Sequence, residues 1–543
     1  MTSAYWIRLT YSRRFLKRLT IVCFVLTVVG AFAVDKLHVK LMGEEVRQMQ
    51  MANEQWLEWS LNDFEDDLLY LSIDFPEKIT PESATQFIKD LPVDEMFEFA
   101  LFASRYPESE DRLLIDEIFK LDSSVHPQWP LYHAFWESIN SDAPQISKAF
   151  EAMLANEPVE RYVHYAQGVF YEDNEQSEQA IESYLLEVEA YNWDVARRDA
   201  VYLAFDTRQW DVLAKWLNDP GFSACFDASD YVAIHAAHQH WWQVFTGLPK
   251  SLWGDLEWWL VVLAVLTGSS WFIFLVKASQ PEGQWLKRIL ICLVAVALGV
   301  LSVWPTVFLD YWQEQVWGLI EDQSNPGSLV IYYIAGVGLR EELAKTLFVL
   351  PLVPFIARRD AGLNMLLIPA CVGLGFAMEE NMQYYYDSMM GDVVGRFITA
   401  NILHMVITGI VGMELCWLWL DPRGRLQSFL LTFVLAIVFH GIYDVVLDLA
   451  DDYTMSMASI LVLLFLVYHF FQYLREYRKP QQRGVSLIFI YIVGIFISIW
   501  TMVFMQSWML GPELAFGLFL SDGVLLVVMS ILLIRQMPTV LIA

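Results

Sequence analysis

The chain has 543 residues, 56% of them hydrophobic and 15% aromatic, with a mean hydropathy of +0.37 and a formal net charge of −29. That apolar content excludes an ordinary soluble domain and indicates a polytopic membrane protein. The acidity excludes nucleic acid as a partner, because phosphates demand a basic surface.

The charge is unevenly spread. Residues 35–250 hold 41 Asp and Glu against 15 Lys and Arg, so one acidic soluble domain carries nearly all of the imbalance. Five cysteines, Cys23, Cys225, Cys292, Cys371 and Cys416, are scattered without a CxxC, and indicate neither a disulfide framework nor a thiolate metal site.

At the N-terminus, Arg8, Arg13, Arg14, Lys17 and Arg18 precede the apolar run Leu19 to Val34. With no convincing cleavage pattern, residues 1–34 read as a retained signal anchor with the N-terminus cytoplasmic. Residues 35–250 are then extracytoplasmic. They read as helical throughout, broken at Pro81, Pro107, Pro127, Pro158 and Pro220. Gly168, Tyr171, Ala180 and Tyr184 fall at the offsets of a tetratricopeptide repeat, although Glu187 is off-pattern. A degenerate repeat solenoid is favoured over an irregular bundle, and either would be a surface for protein partners.

Residues 251–543 return to the bilayer. Nine further spans are expected, with cores near 256–276, 289–309, 329–356, 363–386, 397–420, 426–448, 455–475, 485–507 and 515–534, giving an all-α membrane bundle of about ten spans. With residue 1 inside, each inside loop carries Lys or Arg, as at Lys277 to Arg288, Arg358-Arg359 and Arg475 to Arg483, while the outside loops are acid-rich.

Polar residues inside the spans concentrate in four consecutive helices: Arg340, Glu341, Glu342 and Lys345; then Glu379, Glu380 and Asn381; then Asn401, His404 and Glu414; then His440 and Asp444. Each ionised group in a bilayer interior is expensive, so the set requires partners or a chemical role. Four-residue spacing puts Glu341 with Lys345, Phe376 with Glu380, His404 with Thr408, and His440 with Asp444 on common helix faces. Depth estimates bring Glu341, Glu380, His404 and His440 to nearly one level, at about 1.5 Å per residue. Two carboxylates beside an ammonium and two imidazoles have the chemistry for amide hydrolysis: a base for water, an acid for the leaving amine, and donors or a metal for the oxyanion. Asp444 would fix the His440 tautomer, or both would bind a metal. Arg340 is expected to balance Glu341, Glu379 to point away from the site, and Glu414 and Asp522 to form local pairs.

Glu341-Glu342-x-x-Lys345, Phe376-x-x-x-Glu380-Asn381, His404 and His440-x-x-x-Asp444, in that order, resemble the PrsW family of intramembrane endopeptidases. That family is similar to the CAAX-prenyl and Abi-type membrane proteases, which place an Arg one position beyond Lys345 and a His where this chain has Glu380. The resemblance covers residues 330–448 and leaves the acidic domain unexplained. It implies an intramembrane protease acting on membrane-associated protein substrates, in regulatory proteolysis and in a bacterial inner or plasma membrane. Glu341 would be the base, tuned by Glu342 and Lys345. Glu380 and His404 would position water or the scissile carbonyl, and His440 with Asp444 would stabilise the oxyanion. In a metal-dependent variant, His404 and His440 with Glu380 or Asp444 would bind Zn2+. The competing readings are a proton- or ion-coupled transporter, disfavoured because the polar set occurs once without an internal repeat, and a non-catalytic receptor or scaffold built on the helical domain.

Overall fold

The computed structural model describes residues 3–42, 92–105, 127–140, 145–254, 256–279, 285–358, 362–388, 391–449, 453–477, 485–509 and 511–537. The expected breaks at Pro81 and Pro107 lie outside these residues, as do parts of the basic loops near 280, 360 and 480. All regular structure among the described residues is helical. The chain divides into two compact units, residues 57–243 and residues 1–56 joined with 244–543.

The N-terminal helices are α1 (Ser3–Leu9) and α2 (Arg13–Met42). The second continues beyond the apolar run in both directions. The acidic unit contains α3 (Val93–Arg105), α4 (Trp129–Ile139), α5 (Lys148–Leu154), α6 (Val163–Asp173), α7 (Ser177–Tyr191), α8 (Asp194–Asp206), α9 (Trp210–Leu217) and α10 (Ala228–Ala237). Its core is aromatic: the Tyr165 ring lies 5.4 Å from Tyr184 and 4.7 Å from Trp193. Gly168 of α6 lies directly against the Tyr184 ring of α7, where a Cβ would meet ring carbon at 2.4 Å. Glu187, off-pattern in the sequence, is fully buried and accepts the Tyr162 N–H at 2.6 Å. Tyr162 is left-handed, at φ 75, so Glu187 satisfies a backbone donor exposed where α6 begins.

The membrane unit continues with α11 (Trp241–Trp253), α12 (Trp258–Ala278), α13 (Trp285–Trp317), α14 (Pro326–Ile331), α15 (Leu339–Val349), α16 (Val353–Ile356), α17 (Gly362–Asp387), α18 (Val393–Ile398), α19 (Ala400–Leu420), α20 (Pro422–Asp448), α21 (Tyr453–Tyr477), α22 (Leu487–Met509) and α23 (Pro512–Gln536). Among the described residues, eight helical segments are long and apolar enough to cross a membrane. The other two expected spans are the charged run from Pro326 to Ile356 and the 25-residue α23.

The charged run is not the single helix its hydropathy suggests. A π-helix over Tyr332–Gly338 joins α14 to α15, and a 3-10 turn over Leu350–Leu352 joins α15 to α16. Asn325 caps its start, its side chain accepting from Gly327 and Ser328 N–H groups. The expected span 397–420 is likewise divided, at Thr399 between α18 and α19.

Segments α17 and α18–α19 are the most enclosed, with 83% and 78% of their most apolar windows buried. They share the largest helix–helix contact of the unit. Small residues permit it: a Cβ on Gly373 of α17 would stand 2.1 Å from the His404 carbonyl oxygen of α19.

Candidate active site

Helix α15 supplies Glu341, Glu342 and Lys345, all buried, with Glu342 and Lys345 fully so. An ammonium has three protons and no acceptor capacity, so in apolar surroundings it needs three acceptors. Lys345 has them: Glu342 Oε1 at 2.6 Å, His404 Nδ1 at 2.9 Å and Glu341 Oε2 at 3.3 Å. Its charge also lies 4.4 Å above the Phe376 ring of α17. The i,i+4 pairing of Glu341 with Lys345 is present, but the shorter contact is to Glu342, at i,i+3.

Glu342 does more than adjust this charge. Its Oε1 accepts from His440 Nδ1 of α20 at 2.8 Å, so Glu342, and not Asp444, fixes the His440 tautomer. Asp444 is aligned instead with the other nitrogen, Oδ2 standing 3.4 Å from His440 Nε2. The angle there is too poor for a hydrogen bond, and Oδ2 remains a buried oxygen without one. Glu341 Oε2 lies 3.5 Å from the same Nε2. A nitrogen facing two carboxylate oxygens requires a proton, a cation or a water between them.

His404 is arranged in parallel. Its Nε2 faces Glu380 Oε2 of α17 at 3.1 Å, and its Nδ1 faces Lys345 and, at 3.9 Å, Glu341 Oε2. The two imidazole rings are 5.1 Å apart and nearly perpendicular. The neighbours suggested by spacing, Asn401 and Thr408, do not hold His404. Asn401 accepts from Asn381 at 2.8 Å, while Asn401 Nδ2 and Thr408 Oγ1 lack hydrogen-bond partners.

Arg396 was legible only as a loop charge at the start of a span. It lies in α18, donates to Glu380 Oε2 from Nη2 and to Asn381 Oδ1 from Nε, both at 2.6 Å, and stacks 3.6 Å over Tyr384. The one available signal was that Glu380, inside an apolar span without a cation on its own helix, needed one from elsewhere. Arg340 differs from expectation too. It pairs with Asp310 of α13 at 2.5 Å and contacts Gln313, rather than balancing Glu341. Glu379 turns away from the cluster and accepts from Trp253 Nε1 at 3.2 Å, and Glu414 accepts from Ser428 at 2.8 Å. The side chain of Asp522 lies outside the described residues.

Glu341, His404 and His440 each present a donor atom within 4.8 Å of the others, a two-imidazole, one-carboxylate set suited to a divalent metal. The expected ligands Glu380 and Asp444 instead stand beside the histidines. Each imidazole has a carboxylate on its remaining nitrogen, Glu342 for His440 and Glu380 for His404, the support usual for metal-bound histidine. Glu341, Glu342, Glu380 and Asp444 meet Lys345 and Arg396, four carboxylates against two cations, which leaves two negative charges for a divalent ion or for protons to neutralise. On donor chemistry the site fits such an ion once the Lys345 ammonium, 2.9 Å from His404 Nδ1, releases that nitrogen.

Carboxylates, imidazoles and an ammonium gathered from four helices inside a membrane bundle define the class, a polytopic membrane enzyme with acid–base machinery. The family model described as PrsW family intramembrane metalloprotease matches residues 287–472. Protease PrsW of Bacillus subtilis is 25% identical over 168 residues, covering 31% of this chain and 74% of that protein. Protease PrsW of Oceanobacillus iheyensis is 24% identical over 170 residues, covering 31% and 76%. No solved structure matches. Over residues 287–472 the membrane unit is similar to the PrsW family of intramembrane proteases.

Proposed function

We propose that this protein hydrolyses peptide bonds of membrane-embedded protein substrates in regulatory proteolysis, at the centre formed by Glu341, His404 and His440. The observation that carries the reading is the convergence of these three donors from α15, α19 and α20, each backed by a second charged group. Glu341 with the two imidazoles would hold a Zn2+-class ion, which when bound supplies a Lewis acid for the scissile carbonyl and an acidified water. Glu342 keeps the His440 Nδ1 proton in place, and Glu380, itself clamped by Arg396, keeps the His404 Nε2 proton in place. Asp444 Oδ2, buried without a hydrogen bond and close to His440 Nε2, takes a proton from the attacking water and delivers it to the leaving amine. The unpartnered Asn401 Nδ2 and Thr408 Oγ1 are donors for the substrate backbone.

A second reading rests on Lys345. Its ammonium contacts both His404 Nδ1 and Glu341 Oε2, so it can serve as the resident cation, leaving Glu341 as the base of a metal-free mechanism. Purified protein with a single-span substrate separates the two. We expect Glu341→Ala, His440→Ala and Asp444→Asn each to lower cleavage by at least 100-fold. Undiminished cleavage in Glu341→Ala and His440→Ala would remove the site. Loss of cleavage on chelation, restored by Zn2+, supports the metal reading; chelator-resistant cleavage by metal-free protein supports the Lys345 reading.

The basic connecting loops further support a cytoplasmic N-terminus, with residues 35–250 extracytoplasmic. There the helical unit, with its repeat-like α6–α7 pair, would recruit substrates or regulatory proteins.

A further inference from the structure

Three histidines stand at the end of α10 in the acidic unit, His235, His238 and His240, and the membrane site uses none of them. The helix closes through a left-handed residue, Gln239 at φ 57, with His240 N–H donating to the His235 carbonyl and Gln239 N–H to that of Ala236, both at 2.8 Å. This is a Schellman closure, whose left-handed position usually belongs to Gly or Asn. Its effect is to fold His240 back over His235, so that the two Nδ1 atoms stand 3.2 Å apart. The Tyr231 ring lies edge-on to His235 at 4.2 Å and limits its rotation. His238 is committed elsewhere, Nδ1 to the Ile234 carbonyl at 2.9 Å and Nε2 to Asp211 at 3.2 Å.

Two imidazole nitrogens bound to one ion at about 2.0–2.1 Å and a tetrahedral angle stand about 3.3 Å apart. The backbone closure has therefore set the His235–His240 pair at a chelating distance, with His235 half-buried and His240 exposed. We propose that His235 and His240 form a divalent transition-metal site, for Zn2+ or Cu2+, separate from the membrane centre. The metal replaces the single proton the two Nδ1 atoms can share, releasing it to solvent, and its remaining positions are open to water or to a partner's side chain. Imidazole donors select this class of ion over Mg2+ or Ca2+, and Cu2+ should bind more tightly than Zn2+.

The test is Cu2+ titration of the full-length protein in detergent at pH 7.5, without a polyhistidine tag, read by electron paramagnetic resonance and by competition with a chelator. A His404→Ala/His440→Ala background removes the imidazoles of the membrane site. One Cu2+ per chain, with a two-nitrogen hyperfine pattern, is expected. His235→Ala, His235→Gln or His240→Ala should weaken it at least tenfold and abolish the pattern, with unchanged circular dichroism. His133→Ala, which removes an exposed histidine on α4, should have no effect. The otherwise unmutated chain gives a second reading: there His240→Ala should lose one tightly bound equivalent. Absence of Cu2+ binding in the background, or equal binding by the His235 and His240 variants, would overturn the proposal.

Discussion

Lys345 matches each ammonium proton to an acceptor, and removing it would strand Glu342, which has no solvent contact. Loss of one partner of a buried pair costs about 3–5 kcal/mol, so Lys345→Met should lower the unfolding free energy in detergent by about that amount, alongside lost cleavage. A fall below about 1 kcal/mol would show the ammonium to be dispensable to the fold. The i,i+4 contact of Lys345 with Glu341 follows from helix periodicity and was legible in sequence. The contacts to His404 and from Glu342 to His440 cross 59 and 98 residues, and no local rule encodes them. In the acidic unit, burial pushes the Asp199 carboxyl up to about 6, against the opposing hydrogen bond from Tyr165. A carboxyl whose folded value exceeds its unfolded value binds protons preferentially in the native state, so stability falls as pH rises from about 3.8 to 6. Asp199→Asn should therefore raise the thermal midpoint of this unit at pH 7.5 and raise it less at pH 4.5.

Among the elements, the joint between the π-helix and α20 decides whether the residues meet. A Cβ on Gly338 would stand 2.5 Å from the Ile437 carbonyl, and one on Gly441 2.5 Å from that of Tyr333. Only glycines allow this double approach, which brings α15 and α20 close enough for Glu342 to reach His440. Gly441→Val should force the helices apart, costing about 1–3 kcal/mol as overpacking does, and reduce cleavage at least tenfold. Full activity in that variant would mean that this spacing is not needed. Sequence indicated an apolar run with charges at its centre, but not the change of helical type within it. A π segment is rare and has no local sequence signature, and Gly338 marks only the close approach of a neighbouring helix.

The whole molecule couples an acidic helical unit to a protease bundle, and the sidedness of that unit is open to direct measurement. Of five cysteines, Cys225 alone escapes burial. A membrane-impermeant maleimide should label Cys225 in intact spheroplasts and fail with Cys225→Ser; labelling only after permeabilisation would place the unit in the cytoplasm. Composition, hydropathy and loop charge by themselves determined the membrane class, the all-helical fold and the four helices that carry the expensive polar groups, because those properties are summed along the chain. Periodicity determined which residues share a helix face. Tertiary structure alone decided which nitrogen of each histidine meets which carboxylate, that Arg396 joins Glu380, and that Glu341 rather than Glu380 or Asp444 completes the donor triad. Helix rotation and depth are set by close contacts between distant glycines and carbonyls, and those contacts have no signature in local spacing.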